Sequence, residues 1–291
     1  MRLESAYWGG TMDPIIVLAH DGSINADWLA RYALQLASRL VRPELMIIHI
    51  LDGTLSHEQI TAKFSLLREE GCRRNIVCRP LIRSMAGDVF ASLKTVVPCG
   101  DHVYCLCGAR ITPRGRGFLT GTVSERLLGA GWCNVLAIRV VSPGLLGCPS
   151  ALLFPLAGHP RGFQSARPFL QLLLPAVRHL YLLRIMTVHP IVFPLLSKKN
   201  TKNKLSCGHE YLKRVCAEIR QQLTTPTHLD RHVVVSDDWA QEILIHAGKI
   251  NASMILLGAT ERSLSHRLMH SNRVEQILQA APCDVGIYRR R

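Results

Sequence analysis

The feature that most limits how this chain can fold is a unit that occurs twice. Residues 101–139 read DHVYCLCGARITPRGRGFLTGTVSERLLGAGWCNVLAIR: an apolar run, a basic glycine-rich loop, a helical pattern and a second apolar run. The same order returns at residues 251–289 with most of its glycines replaced. At a constant offset, 108–139 align on 258–289 without a gap. Eight of the 32 positions match: Gly108/Gly258, Ala109/Ala259, Glu125/Glu275, Leu128/Leu278, Ala130/Ala280, Cys133/Cys283, Val135/Val285 and Arg139/Arg289. Ordinary composition would give about two. The 291 residues therefore divide into two copies of one α/β unit. A strand, a glycine loop and a helix N-terminus in that order can hold a phosphate, because close backbone approach meets unpaired N–H groups.

Hydrophobic periodicity fills in the rest. In the first copy, strands are expected at Ile15–Ala19, Leu45–Leu51, Asn75–Arg79, Val103–Cys107 and Val135–Val140. Helices are expected from a cap at Asn25 to about Leu40, from Ser56 to about Glu70 with Gly71 closing it, from Gly87 to about Val97, and over Thr122–Ala130. The second copy repeats the alternation. Its strands are Ala151–Ala157, His179–Val188, His232–Val235, Ser253–Leu257 and Val285–Tyr288. Its helices are Phe163–Leu174, Leu205–Leu223, Asp238–Lys249 and Ser265–Ala280. Ser197–Lys204, SKKNTKNK, reads as a mobile basic loop, and Asp237 or Asp238 as a helix cap. Alternation of this kind gives parallel sheets covered by helices. The expected boundaries are a lead-in over 1–13, a first domain over 14–142, a linker over 143–150 and a second domain over 151–291.

Composition narrows the function classes. Hydrophobic residues make up 48% and aromatics 6%, so the cores should be aliphatic. The ten cysteines are irregularly spaced, and Cys105, Cys107, Cys133 and Cys283 fall inside apolar runs. They read as small buried hydrophobes in a reducing cytosol, not as a zinc or redox set. Arg2 and Glu4 come too early for a signal peptide. Arg178, His179, Arg184 and His189 interrupt the longest apolar region, Phe169–Leu196, so no membrane partner is expected. Walker, nucleophile-elbow and HExxH motifs are absent from the sequence. The net charge of +14 keeps weak nucleic-acid binding open.

The motifs HDGS at 20–23, IIHI at 47–50, GARITPRGRGFLTGTVSERLL from Gly108, LLFPLAGHPRG from Leu152 and LLGATERSLSHRLMHSNRVEQILQAAPCDVGIYR from Leu256 together resemble tandem universal stress protein domains. That resemblance implies two open α/β domains, each a five-stranded parallel sheet in the order 3-2-1-4-5 with helices on both faces. It implies ligand binding where strands 1 and 4 diverge. The nucleotide-binding members carry G-x2-G-x9-G-[S/T]. On that pattern Gly108 matches the first glycine, Gly121-Thr122 the last pair, Asp21 the aspartate that ends strand 1, and Ile50 the strand-2 position. The middle glycine is replaced by Ile111.

The candidate nucleotide site is Ala19, His20, Asp21, Ile50, Gly108, Arg110, Gly121, Thr122, Val123 and Ser124. In the second copy the corresponding positions are Ala157, Gly258, Glu261, Ser271 and Asn272, which offer no such site. The implied cofactor is ATP or AMP, with Mg if ATP, bound by the N-terminal copy only. The implied protein is a cytoplasmic, stress-related regulator with at most slow ATP hydrolysis and a protein partner of unstated identity. The resemblance also implies that Asn134–Val140 and Asp284–Arg289 pair within one molecule as a pseudo-dimer, and a homodimer stays open. The different-class alternative is a nucleotide-free protein-interaction module.

Overall fold

The computed structural model describes residues 13–109, 122–158, 162–222, 227–259 and 271–291. The strands are β1 Ile15–Ala19, β2 Glu44–Leu51, β3 Val77–Ser84, β4 Gly100–Gly108, β5 Cys133–Arg139, β6 Ala151–Leu156, β7 His179–Thr187, β8 His228–Ser236, β9 Met254–Gly258 and β10 Asp284–Arg289. The α-helices are α1 Ile24–Ala37, α2 His57–Arg73, α3 Val89–Val96, α4 Val123–Ala130, α5 Gly162–Leu173, α6 Lys198–Gln222, α7 Trp239–Lys249 and α8 Ser271–Ala280.

All ten strands join one sheet in the order β3-β2-β1-β4-β5-β10-β9-β6-β7-β8. The order 3-2-1-4-5 thus occurs twice, with parallel pairing inside each half. The halves meet at β5 and β10, which run antiparallel. One face carries α1, α2, α5 and α6 over a core that includes Leu29, Phe64, Phe169 and Leu212. The other carries α3, α4, α7 and α8 over Leu93, Leu127, Ile243 and Ile277.

The β5–β10 seam has a pseudo-twofold axis that follows from the repeat offset. Ala137 pairs with its own counterpart Ile287, and the pairs Ile138–Gly286 and Leu136–Tyr288 lie symmetrically about it. The symmetry extends to side chains. Arg291 N donates to Asn134 Oδ1 at 3.3 Å, and the equivalent Val141 N donates to Asp284 Oδ1 at 2.7 Å. Asp284 is fully buried and also accepts from Ser142 N at 2.8 Å and from the Tyr32 hydroxyl at 2.5 Å. Burial and that carboxylate push the Tyr32 phenol well above its usual range. A single aspartate therefore ties together α1, the segment after β5 and the second half.

Several sequence expectations shift. Ser23, not Asn25, caps α1, since its hydroxyl accepts from Ala26 N. α2 runs through Gly71 to Arg73, and the left-handed reversal falls to Asn75 (φ 57°). A Cβ at Gly71 would collide with Cys78, which is why glycine stands inside that helix. β3 begins later and runs longer than expected, because edge-strand residues with mostly exposed or half-buried side chains give little alternation to read. Ser197–Lys204 is not a loop: α6 begins at Lys198 and continues for 25 residues. Its first turns lack an apolar stripe, and the helix they extend is anchored further on by Leu212, Val215 and Ile219. β8 also exceeds its expected four residues. Asp238 caps α7 as expected, accepting from Ala240 N and Gln241 N. The start expected for the last helix at Ser265 lies outside the described residues.

Candidate functional site

At the carboxyl end of β1 the chain turns through Asp21-Gly22-Ser23. Gly22 sits at φ 84°, a left-handed conformation that excludes most side chains. Asp21 Oδ1 accepts from Ser23 N at 2.9 Å and from Ser23 Oγ at 2.6 Å. The side chain of Asp21 therefore shapes the turn while the residue stays exposed. The same device closes the neighbouring strand. Asp52-Gly53-Thr54 follows β2, with Gly53 at φ 87° and Asp52 Oδ1 accepting from Thr54 N at 3.0 Å and Thr54 Oγ1 at 2.6 Å. Burial pushes the Asp52 carboxyl up, but the Thr54 bonds outweigh it and hold the group below the usual range. Two acceptor-only carboxylates thus stand on adjacent turns. Asp52 was not among the sequence candidates; the signal that could have found it is D-G-T repeating D-G-S at a second strand end.

Beneath these turns lies a buried polar layer. His20 Nδ1 accepts from Gly22 N at 3.0 Å, so Nε2 carries the proton that points to Asp27 Oδ1 at 3.1 Å. Asp27 in turn meets Lys63 Nζ at 2.6 Å. Burial raises the Asp27 carboxyl, and His20 and Lys63 together bring it below its ordinary value. His49 Nδ1 donates to His20 O at 2.7 Å, and both rings stand edge-on to Phe64. His49 Nε2 is buried with no hydrogen-bond partner among the described residues. His20, named as a site candidate, has both ring nitrogens engaged in holding the turn. Ala19 ends β1, and Ile50 is buried one residue before the end of β2.

β1 lies between β2 and β4, so this corner adjoins Gly108 at the end of β4. A Cβ placed on Gly108 would meet nothing within 4 Å among the described residues. Thr122 caps α4, its Oγ1 accepting from Glu125 N at 3.2 Å and lying 3.0 Å from Ser124 Oγ. Val123 opens the helix, so Thr122, Val123 and Ser124 stand at its positive end. Arg126 binds Asp88, the cap of α3, at 2.7 Å and lies over the Phe90 ring. Arg110, Gly121 and the departure at Ile111 lie outside the described residues. The chemistry on view is acceptor carboxylates at the ends of β1 and β2, and hydroxyls with helix-end donors at the start of α4.

The second half has the same frame with other side chains in it, and at its first turn Arg184 stands where Leu55 closes on Gly22 in the first half. Arg184 takes the place of His49: its Nη1 donates to Leu156 O at 3.2 Å, the counterpart of the His49 bond to His20 O. A Cβ on Gly158 (φ 81°) would run into that guanidinium. At Gly258 a Cβ would stand 2.9 Å from the Tyr288 hydroxyl, whereas the counterpart of Tyr288 in the first half is Ile138. Burial pushes the Tyr288 phenol up to about 12. Ala157 stands at the position of Asp21.

Among known proteins, the model of the universal stress protein family matches residues 181–289, within the half whose glycines are mostly replaced. No curated protein matches the chain. A universal stress protein from Archaeoglobus fulgidus has the same fold, with a TM-score of 0.61 at 13% identity over 95% of this chain and 96% of that one. A Pseudomonas aeruginosa protein described as a putative universal stress protein gives 0.56 at 12% identity over 94% and 92%. The cytoplasmic domain of a prokaryotic cation chloride cotransporter gives 0.60 at 6% identity over 96% of each chain. At these identities the likeness is one of fold.

Proposed function

We propose that the chain is a two-copy protein of the universal stress protein type, a cytoplasmic regulatory module that binds an adenine nucleotide in its N-terminal half only. The observation that carries this reading is the contrast between two equivalent strand ends. Among the described residues nothing lies within 4 Å of a Cβ placed on Gly108, whereas a Cβ on Gly258 would stand 2.9 Å from the Tyr288 hydroxyl. Asp21 and Asp52 would accept hydrogen bonds from ribose hydroxyls or the exocyclic amine. Thr122, Val123 and Ser124, with Gly108 and the sequence candidates Arg110 and Gly121, would receive the phosphates. Any magnesium would come with ATP. Histidines, cysteines and carboxylates among the described residues form no group of three placed to hold a metal, and both His20 ring nitrogens are engaged at the turn.

Isothermal titration of nucleotide-free protein with ATP and AMP tests the reading. Gly108→Asp should abolish binding while the unfolding midpoint stays within the spread of surface variants, because its side chain meets no described residue. Equal binding by wild type and Gly108→Asp would refute the site. Ile111 at a glycine position favours a second reading, a protein-interaction module with no nucleotide; no heat with either ligand at millimolar concentration would establish it over the first.

A further inference from the structure

The segment between β7 and α6 has no counterpart in either reading above. Pro190-Ile191-Val192-Phe193-Pro194-Leu195 folds into an ordered knob. Val192 N and Phe193 N donate to His189 O at 2.9 and 3.0 Å, and Leu195 N and Leu196 N close a 3-10 turn. The knob presents apolar side chains to solvent: Ile191 is 74% exposed, Val192 47%, Phe193 37% and Leu195 79%. Four of the large exposed hydrophobics of the described chain thus fall within five residues. Contiguous exposure of this kind marks a contact surface.

Immediately after it comes positive charge. α6 begins with Lys198, Lys199, Lys202 and Lys204, of which the first three are exposed, and no acidic residue appears from His189 until Glu210. Lysines in the first turns of a helix face the positive end of its dipole, where acidic side chains are favoured. That placement is unfavourable for the isolated fold, and it concentrates cationic potential beside the knob. Hydrophobic side chains that can enter an acyl boundary, flanked by lysines that can reach headgroups, make the two signals needed for reversible attachment to an anionic bilayer.

We propose that Ile191–Leu195 and the lysines opening α6 form a contact for the surface of an anionic membrane. A second copy of this chain fits less well, because a two-fold contact would place the lysines of one protomer against those of the other. Nucleic acid also fits less well, since single strands stack on aromatic rings and the knob offers one phenylalanine among aliphatic residues. The contact is peripheral. None of the described helices is long and apolar enough to cross a membrane.

Co-sedimentation of the full chain with vesicles of phosphatidylcholine, with and without phosphatidylserine, tests this. The wild type should bind only the phosphatidylserine vesicles, and added salt should weaken binding. Leu195→Asp should weaken it at least about tenfold, given the area that Leu195 would bury. Lys198→Glu should weaken it about fivefold or more from the headgroup attraction of one lysine. Both sites are exposed, so an unchanged circular-dichroism melting midpoint will show that the fold is retained. No binding to phosphatidylserine vesicles overturns the proposal, as does a Leu195→Asp variant that binds as tightly as wild type. If Leu195→Asp instead dissociates an oligomer seen by light scattering, or the lysine variant loses only oligonucleotide binding, a second copy or a nucleic acid is the occupant and the proposal falls.

Discussion

Replacing Asp284 by alanine should be the most damaging single change at the seam between the halves. Its carboxylate is fully buried and receives three donors: the Tyr32 hydroxyl, Val141 N and Ser142 N. Alanine leaves all three without that acceptor. A buried donor deprived of its partner costs about 1–3 kcal/mol. The Tyr32 hydroxyl, in a buried setting, should carry most of that range, and the two backbone groups, which are half-buried and open to water, the lower end. The sum is about 3–5 kcal/mol, a large share of the roughly 5–15 kcal/mol that holds a domain together. Arg139 pairs across the seam beside Asp284; burial lowers its guanidinium and Asp284 opposes that, so the variant also removes a nearby anion from this cation.

The assay is urea unfolding followed by tryptophan fluorescence and circular dichroism. Tyr32→Phe added to Asp284→Ala removes the stranded hydroxyl, and the cycle should show a coupling of about 1–3 kcal/mol. The pseudo-symmetric control is Asn134→Ala. Asn134 donates to Asp101 O and Val103 O but holds no buried hydroxyl, so its loss should cost less, about 1–2 kcal/mol. An Asp284→Ala cost below about 1 kcal/mol, or one no larger than that of Asn134→Ala, would refute the reasoning.

Three further outcomes follow from the same structure. The Asp27 carboxyl is held below 3.8 in the fold by His20 and Lys63 against burial, so its stabilising contribution is complete above that value and is lost as pH falls through the lower folded one. The difference in urea midpoint between wild type and Asp27→Asn should stay constant above about pH 5 and shrink below about pH 4; a gap unchanged down to about pH 2 would contradict it. Burial raises the Cys107 and Cys283 thiols to about 12, whereas Cys72, Cys99 and Cys207 are exposed. A short iodoacetamide pulse read by peptide mass spectrometry should therefore label the exposed three first, and prompt labelling of Cys107 or Cys283 in the native protein would count against the packing. A fragment ending at Ser142 loses β10 and bares the β5 edge, so it should dimerise or aggregate; a stable monomer by light scattering would exclude that edge as the reason.

Most of the strand–helix alternation was legible because it rests on local periodicity. Strands buried on both faces, such as Val103–Cys107, read as apolar runs, and Thr122 read as a helix start because a hydroxyl before an apolar pattern caps. The duplicated unit was legible because sequence identity survives at a fixed offset. Less legible were positions whose state is set elsewhere. SKKNTKNK carries no apolar face, so nothing local marks it as helix, and only the packing of α6 downstream decides it.

For the candidate site, the sequence alone marked Asp21, Gly108 and Thr122 as turn, glycine end and cap, and the family resemblance made them a set. The topology, with β1 between β2 and β4, puts the strand ends at Asp21 and Gly108 at one corner. It also added Asp52, the His20–Asp27–Lys63 layer and the His49 bond to His20 O, which were not read from local periodicity. The sequence by itself determined that there are two copies and that only one keeps its glycines. Tertiary structure decided that they fuse into one sheet at β5 and β10, that Asp284 locks Tyr32 from 252 residues away, and that Tyr288 stands over Gly258 where no described residue stands over Gly108. The physical reason is that periodicity and capping act within a few residues, whereas the filling of a space depends on which distant side chains the fold brings to it.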